Sequence, residues 1–89
     1  MNAAMNATQI EERVLQIFLS IAADVDPSQL RRDVAFRDQF DFDSMDTLNF
    51  AIGLHEAFGV DVPQTEYREL ASLGSTVAYV NRHLGAQPG

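Results

Sequence analysis

The chain contains no cysteine and no lysine, and only three prolines interrupt its 89 residues. Without cysteine there is no disulfide framework, no thiolate metal site and no cysteine nucleophile. This absence fits a cytoplasmic protein, and we expect that location. Residues 1–7 include no basic residue and no apolar run, so we expect a flexible N-terminal tail that is neither a signal peptide nor a membrane span.

The charge of the chain is concentrated in one region. Thirteen acidic residues stand against six arginines, for a net charge of −7. The stretch from Asp38 to Glu69 contains eight acidic residues and one arginine, and so carries −7 by itself. Such a field repels nucleic acid and attracts basic protein surfaces. The alternative is that these acidic residues serve solubility alone.

Helical periodicity and capping signals predict an all-α fold. Thr8 with Glu11 matches a capping box, followed by apolar residues at helical spacing as far as Val25. Asp43 is placed to cap a second helix from Ser44 to about Phe58. Three further predictions complete the chain: a short third helix after Pro63, a last helix capped by Ser72, and a C-terminal tail at residues 86–89.

The resulting prediction is a small four-helix bundle with a long first loop and a short third helix, in one domain over residues 8–85. Apolar residues make up 46% of the chain, which is enough for a modest core. Within the first loop, residues spaced as anchors could pin the chain onto that core: Leu30, Val34, Phe36 and Phe40.

The second helix has two apolar stripes on nearly opposite faces at 100° per residue. The larger stripe carries the aromatic residues and should face the core: Phe50, Ala51, Leu54 and Phe58. The smaller stripe should be left exposed beside Asp46 and Glu56 and should bind partner proteins: Met45, Leu48 and Ile52. Alternatively, the long first loop folds over this smaller stripe.

Ser44 begins the second helix between Asp43 and Asp46. Its hydroxyl should lie in solvent at the positive end of the helix dipole, where another enzyme can attach a phosphate-linked group. No histidine lies within a helical turn of Ser44, which argues against a Ser-His hydrolase, and we expect no catalytic residue. The two histidines are far apart in sequence and the acidic residues do not fit a calcium loop, so we expect no metal site.

These features together resemble the acyl carrier protein family, which binds phosphopantetheine. The motif is Asp43-Ser44-Met45-Asp46-Thr47-Leu48, and the resemblance continues through Glu56-Ala57-Phe58-Gly59 to the last helix, Leu73-Gly74-Ser75-Thr76-Val77-Ala78-Tyr79-Val80. It implies that a phosphopantetheinyl transferase attaches 4′-phosphopantetheine to Ser44, with Asp43 helping to present the serine. The arm would carry acyl groups as thioesters between a loading ligase or synthase and acyl-transfer enzymes with basic docking surfaces.

Several residues depart from the pattern of that family. Asp41-Phe42 replaces a pair that is usually small, and Asn49 and His55 stand where the general fatty-acid carrier has glutamates. The resemblance therefore implies a free-standing carrier dedicated to one lipid or natural-product pathway. Two alternatives remain: a carrier of aminoacyl or peptidyl groups, which Asp43 disfavours, and an unmodified interaction module. The resemblance also implies that Phe50, Leu54 and Phe58 line the interior, where some family members shelter an acyl chain.

Overall fold

The computed structural model describes residues 6–86, and the secondary-structure elements among these residues are all helices. The order along the chain is α1 (Ala7–Ile21), α2 (Phe36–Gln39), α3 (Ser44–Phe58), the 3-10 helix Gln64–Leu70 and α4 (Leu73–Ala86), with a short 3-10 turn at Pro27–Gln29. The predicted all-α bundle with a long first loop and a short third helix is confirmed. Most of the predicted tails, residues 1–7 and 86–89, lies outside the described residues.

The start of α1 differs from the predicted cap at Thr8. Asn6 is the N-cap, and its side chain accepts a hydrogen bond from the amide of Gln9 over 2.8 Å. The Gln9 side chain in turn accepts from the amide of Asn6 over 3.0 Å, completing a capping box two residues earlier than predicted. Asn is as good an N-cap as Thr or better, and Gln serves at the third position as well as Glu.

The end of α1 also differs from the sequence pattern. The helix stops at Ile21 and Ala22 is its C-cap, whereas the apolar periodicity continues to Val25. After a turn at residues 22–24, Val25 packs back against the core as a half-buried residue. The apolar spacing therefore correctly indicates that Val25 faces the core, although Val25 itself lies beyond the end of the helix.

α1 and α3 approach each other closely at Gly53. A Cβ placed on this glycine would lie 2.6 Å from Cγ2 of Ile17, closer than such atoms approach in proteins. Gly53 costs about 1 kcal/mol in helix propensity relative to alanine. The lost propensity is offset by the close packing of the two longest helices of the bundle.

Backbone hydrogen bonds attach the long first loop to the C-terminal half of the chain. The amide of Phe36 donates to the carbonyl of Ala71 over 2.7 Å, and the amide of Gly74 donates to the carbonyl of Arg32 over 2.8 Å. The anchors predicted for this loop are confirmed, since Phe36 is fully buried and the other three are half-buried. The loop therefore occupies a fixed position beside the start of α3.

The core at this end of the bundle is aromatic. Phe18 of α1 stacks on Phe36 of α2 with ring centroids 4.2 Å apart, and Phe50 of α3 meets both rings edge-on. These three side chains are fully buried. Phe40 and Phe42 complete the cluster as half-buried members. Rings from three helices and the first loop thus meet directly beneath the N-terminus of α3.

The predicted short third helix is the 3-10 helix Gln64–Leu70, which follows α3, and a polar contact attaches it to α4. The buried Tyr79 of α4 donates a hydrogen bond to the carboxylate of Glu66 over 2.5 Å. Leu70 at the end of the 3-10 helix is buried in the core. α4 then starts as predicted, with the Ser72 hydroxyl accepting from the amide of Ser75 over 3.1 Å.

Candidate functional site

Ser44 is the first residue of α3, and a reciprocal capping box surrounds it. The amide of Asp46 donates to Oδ1 of Asp43 over 3.0 Å, and the amide of Asp43 donates to Oδ2 of Asp46 over 3.0 Å. The predicted cap by Asp43 is confirmed, and Asp46 is a second member of the same box. Thr47 reinforces this turn, since its hydroxyl donates to the carbonyl of Asp43 over 3.2 Å.

The Ser44 side chain is exposed to solvent at this fixed helix start. The capping box uses the amides of Asp43 and Asp46, which leaves those of Ser44 and Met45 among the free donors of the first turn. Free amides and the helix dipole together favour an anionic group at an N-terminus. The site therefore offers a hydroxyl for esterification and a local environment that accepts a phosphate, which fits a phosphopantetheine group.

The smaller apolar stripe of α3 is exposed. We call its three residues, Met45, Leu48 and Ile52, the apolar strip. The exposed fractions are 61% for Met45, 39% for Leu48 and 47% for Ile52. On the opposite side, Phe50, Ala51 and Leu54 are buried and Phe58 is half-buried. The long first loop does not cover the apolar strip, since it packs on the other side of α3 through Phe36 and Phe42.

The two acidic residues predicted beside the apolar strip lie at different distances from Ser44. Asp46 is half-buried in the first turn, where one of its oxygens serves the capping box. Glu56 is exposed and lies about 18 Å from Ser44 along the helix axis, at 1.5 Å per residue. Glu56 also borders a shallow depression shared with Arg13 and Gln16 of α1. The structure thus groups Asp43, Ser44, Met45 and Asp46 at one end and places Glu56 towards the other.

A cleft of about 580 Å³ opens beside Ser44. One side is formed by α2 and the loop before α3, and the other by the 3-10 helix and the residue that follows it. Its lining is mixed: the apolar residues Phe36, Phe42 and Leu70 occur together with Tyr67, Arg37 and Arg68. The 3-10 helix therefore forms one wall of a depression into which a group attached at Ser44 could extend.

A second cleft of about 380 Å³ lies near the same end of α3 and is strongly acidic. Four aspartates border it, together with apolar residues of α1 and the first loop: Asp24, Asp26, Asp41 and Asp46. The Asp26 carboxylate accepts hydrogen bonds from the amide and hydroxyl of Ser28, which lower the pKa of Asp26. Of the four, Asp41 and Asp46 belong to the acidic stretch from Asp38 to Glu69, and Asp24 and Asp26 of the first loop add negative charge next to the helix start.

Comparison with known families identifies the class of protein to which this fold and site belong. Residues 12–80 match the family described as "Phosphopantetheine attachment site". The match covers well over half of the chain, so the chain belongs to this family. Its cofactor is 4′-phosphopantetheine.

The chain is also similar to curated acyl carrier proteins over most of its length. The "Acyl carrier protein" of Rubrobacter xylanophilus is 33% identical over 81% of this chain and 93% of its own length. Those of Guillardia theta and Lactobacillus acidophilus are 29% and 28% identical, over 92% and 84% of this chain and 100% and 98% of their own lengths. The chain is therefore an acyl carrier protein, which is a carrier and not an enzyme. Among residues 6–86, no helix is long and apolar enough to cross a membrane.

Sequence reasoning missed three contributions to this site. The capping role of Asp46 was detectable, because Asp-x-x-Asp has the spacing of a capping box. The positions of Arg37 and Arg68 follow from the tertiary structure, which places α2 and the 3-10 helix on two sides of the cleft, and no local pattern signals this. The hydrogen bond between Glu66 and Tyr79 joins residues thirteen apart in sequence and likewise has no local signal.

Proposed function

We propose that Ser44 is the residue to which phosphopantetheine is attached. The observation that supports this proposal best is the exposed Ser44 side chain at the first position of a capped helix. When bound, the group supplies a terminal thiol that carries acyl groups as thioesters. In the attachment step, Oγ of Ser44 bonds to a phosphorus of coenzyme A, the pyrophosphate bond breaks and adenosine 3′,5′-bisphosphate leaves. The hydroxyl proton passes to a base, which we assign to the transferase.

The role of Asp43 in this proposal is positional. Its carboxylate holds the first turn of α3, and this fixes where the hydroxyl of Ser44 lies. The two carboxylates of the capping box oppose the negative charge of a phosphodiester, so we do not assign them to its stabilisation. The helix amides act in the other direction and favour the phosphate by about 0.3–1 kcal/mol.

We further propose that the transferase and acyl-handling enzymes dock on the apolar strip. Basic residues of such partners would pair with Asp46 and Glu56. Exposed ion pairs of this kind contribute about 0–1 kcal/mol each. Weak pairs around a small apolar contact suit a carrier that must bind and release several enzymes in turn.

The proposal extends to a free-standing carrier that serves one lipid or natural-product pathway in the cytoplasm. Asn49 and His55 reduce the acidity of α3 relative to the general fatty-acid carrier, and this supports a narrower set of partners. The nearest alternative is a carrier of aminoacyl or peptidyl groups. Identifying the thioester recovered on the protein from its native cell distinguishes the two.

Modification in vitro tests the attachment site directly. We expect a broad-specificity phosphopantetheinyl transferase and coenzyme A to add one phosphopantetheine to the wild type, as measured by intact-protein mass spectrometry. The matched variants are Ser44→Ala and Ser72→Ala, which remove hydroxyls at the starts of two different helices. Ser44→Ala should stay unmodified and keep its helical circular dichroism, whereas Ser72→Ala should be modified. Modification of Ser44→Ala, or no modification of the wild type by several transferases, would contradict the proposal.

A further inference from the structure

Two arginines of this acidic protein line the cleft beside Ser44: Arg37 of α2 and Arg68 of the 3-10 helix. They belong to different walls of the cleft, and both are exposed. Within residues 6–86, neither of them forms an ion pair with an acidic residue, whereas Arg32 pairs with Glu11 over 2.8 Å. The two arginines can therefore bind an anion without giving up an ion pair inside the protein.

The charges around this cleft differ from those around the acidic cleft near the same end of α3. Four aspartates border the acidic cleft, and its lining among the described residues includes no basic side chain. In the cleft beside Ser44, the two arginines balance Asp38 and Asp43, and one oxygen of Asp43 is already engaged by the amide of Asp46. Ser44 lines this balanced cleft and not the acidic one. An anion attached to Ser44 is therefore repelled from the acidic cleft and meets two cations in the other.

The cleft also has room for a tethered ligand. Its volume of about 580 Å³ lies within the range of about 300–1,000 Å³ that is typical of small-molecule sites. A guanidinium is always charged and presents its donors in a planar fork that matches the oxygens of a phosphate or a carboxylate. Exposed ion pairs are weak one at a time. A group on a short flexible tether at Ser44 has a local concentration in the millimolar range, which allows two weak contacts to be populated.

We propose that Arg37 and Arg68 form an oxyanion site for the group attached at Ser44. This inference rests on the proposed attachment at Ser44 and adds two residues that hold the arm. Two oxyanions with this chemistry reach the site. One is the phosphodiester, which every loaded form carries at Ser44, and the other is the free carboxylate of a dicarboxylic acyl group on an arm folded back into the cleft. In both cases the arginines offset the repulsion that the two capping-box carboxylates exert on an anion here.

Thermal unfolding of unmodified and loaded protein tests this inference. A broad-specificity transferase attaches phosphopantetheine, acetyl-phosphopantetheine or succinyl-phosphopantetheine from coenzyme A or its thioesters, and intact mass confirms each product. The quantity compared is the melting temperature of the loaded protein minus that of the unmodified protein. We expect this difference to be about 4–8 °C smaller in the double variant Arg37→Gln with Arg68→Gln than in the wild type. If the double variant does not fold, the two single variants give the same comparison with a smaller shift each.

The three loaded forms identify which oxyanion is bound. If the phosphodiester is the ligand, all three forms should show the same dependence on the arginines. If the acyl carboxylate is the ligand, only the succinyl form should show it. Phosphorus NMR provides a second measurement, since the phosphodiester resonance of the loaded protein should move on substitution of the arginines in the first case and stay unchanged in the second. Either result supports an oxyanion site.

The matched control is Arg31→Gln. Arg31 is also exposed and forms no ion pair within residues 6–86, but it lies in the first loop and does not line the cleft beside Ser44. The substitution removes the same charge from the protein. The difference in melting temperature between loaded and unmodified Arg31→Gln should equal that of the wild type, which separates a site in the cleft from an effect of net charge.

The outcomes are distinguishable from a failure of the proposed attachment. A wild type that takes up no phosphopantetheine contradicts the attachment itself. A wild type that is loaded, but whose difference in melting temperature equals that of the double variant for all three forms, contradicts the oxyanion site. A double variant that folds and cannot be loaded also contradicts it, because the arginines then contact the transferase and not the tethered group.

Discussion

The phenol of Tyr79 and the carboxylate of Glu66 form a hydrogen bond that holds the 3-10 helix against α4. Burial raises the pKa of Tyr79 to about 12, and the hydrogen bond and negative charge of Glu66 add to this shift. The same 3-10 helix forms one wall of the cleft beside Ser44 through Tyr67 and Arg68. The bond thus connects the stability of the bundle to the shape of its candidate site.

The raised pKa predicts a loss of stability at alkaline pH. An unfolded tyrosine has a pKa of about 10, so the contribution of Tyr79 is complete below about pH 10. It is lost as the pH rises towards the folded-state pKa of about 12. In Tyr79→Phe the free energy of unfolding should fall by about 1.5–3 kcal/mol at neutral pH, as expected for a hydrogen bond to a charged group. Urea titrations at several pH values measure both effects.

The control for this experiment is Tyr67→Phe, which removes the other phenol of the chain. Its alkaline loss of stability should match that of the wild type, whereas Tyr79→Phe should lose less between pH 10 and pH 12. An equal loss in Tyr79→Phe would show that other groups cause the alkaline transition.

The capping box around Ser44 predicts a stability difference between two substitutions of Asp43. Asp43→Ala removes the side-chain acceptor for the Asp46 amide and should cost about 0.5–2 kcal/mol of unfolding free energy. Asp43→Asn keeps an acceptor oxygen and should cost less. Asp41→Ala is the control, because Asp41 is an exposed acidic residue outside the box. Equal unfolding free energies for all three variants in urea would contradict a capping role.

The close approach of α1 and α3 predicts that Gly53→Ala destabilises the protein. Alanine adds about 1 kcal/mol of helix propensity, but its Cβ meets Cγ2 of Ile17 at 2.6 Å. Overpacking of this kind costs about 1–3 kcal/mol, so we expect a net loss of unfolding free energy. Ile17→Leu removes the branch at Cβ and should restore part of the loss in the double variant. Strictly additive effects in a double-mutant cycle would show that the two positions do not clash.

The apolar strip predicts a variant that is folded but poorly modified. Leu48→Glu places a charge in the proposed docking surface and should slow transfer of phosphopantetheine by about tenfold, equivalent to about 1.4 kcal/mol. Ala78→Glu adds the same charge at an exposed position of α4 and should be modified at the wild-type rate. Initial rates by mass spectrometry and circular dichroism of each variant measure the two properties. Loss of helical signal in Leu48→Glu would show that Leu48 contributes to the core.

The four longer helices and their order could be predicted because their signals are local, whereas the short α2 lies within the predicted first loop. Apolar residues at helical spacing, Asp43 at the N-cap and Gly59 at the C-cap fix α3 within its own sequence. Gly59 has φ of 70°, the left-handed conformation that glycine adopts easily at helix ends. The division of α3 into a buried and an exposed stripe followed from the same periodicity.

Other features depend on packing and could not be predicted locally. At the start of α1, Asn6 and Thr8 are competing caps, and the sequence alone does not decide between them. The aromatic cluster beneath Ser44 joins segments that are distant in sequence, so a helical pattern cannot place Phe42. The attachment at Ser44 and the docking role of the apolar strip remain predictions.

The aromatic cluster and the capping box together immobilise the backbone on both sides of Ser44. The point of attachment of a flexible tether at this hydroxyl would therefore keep one position relative to the rest of the carrier. For a docked enzyme, a short tether of this kind corresponds to a local concentration in the millimolar range. An enzyme docked on a loaded carrier would then encounter its substrate at this local concentration, even when the bulk concentration of loaded carriers is low.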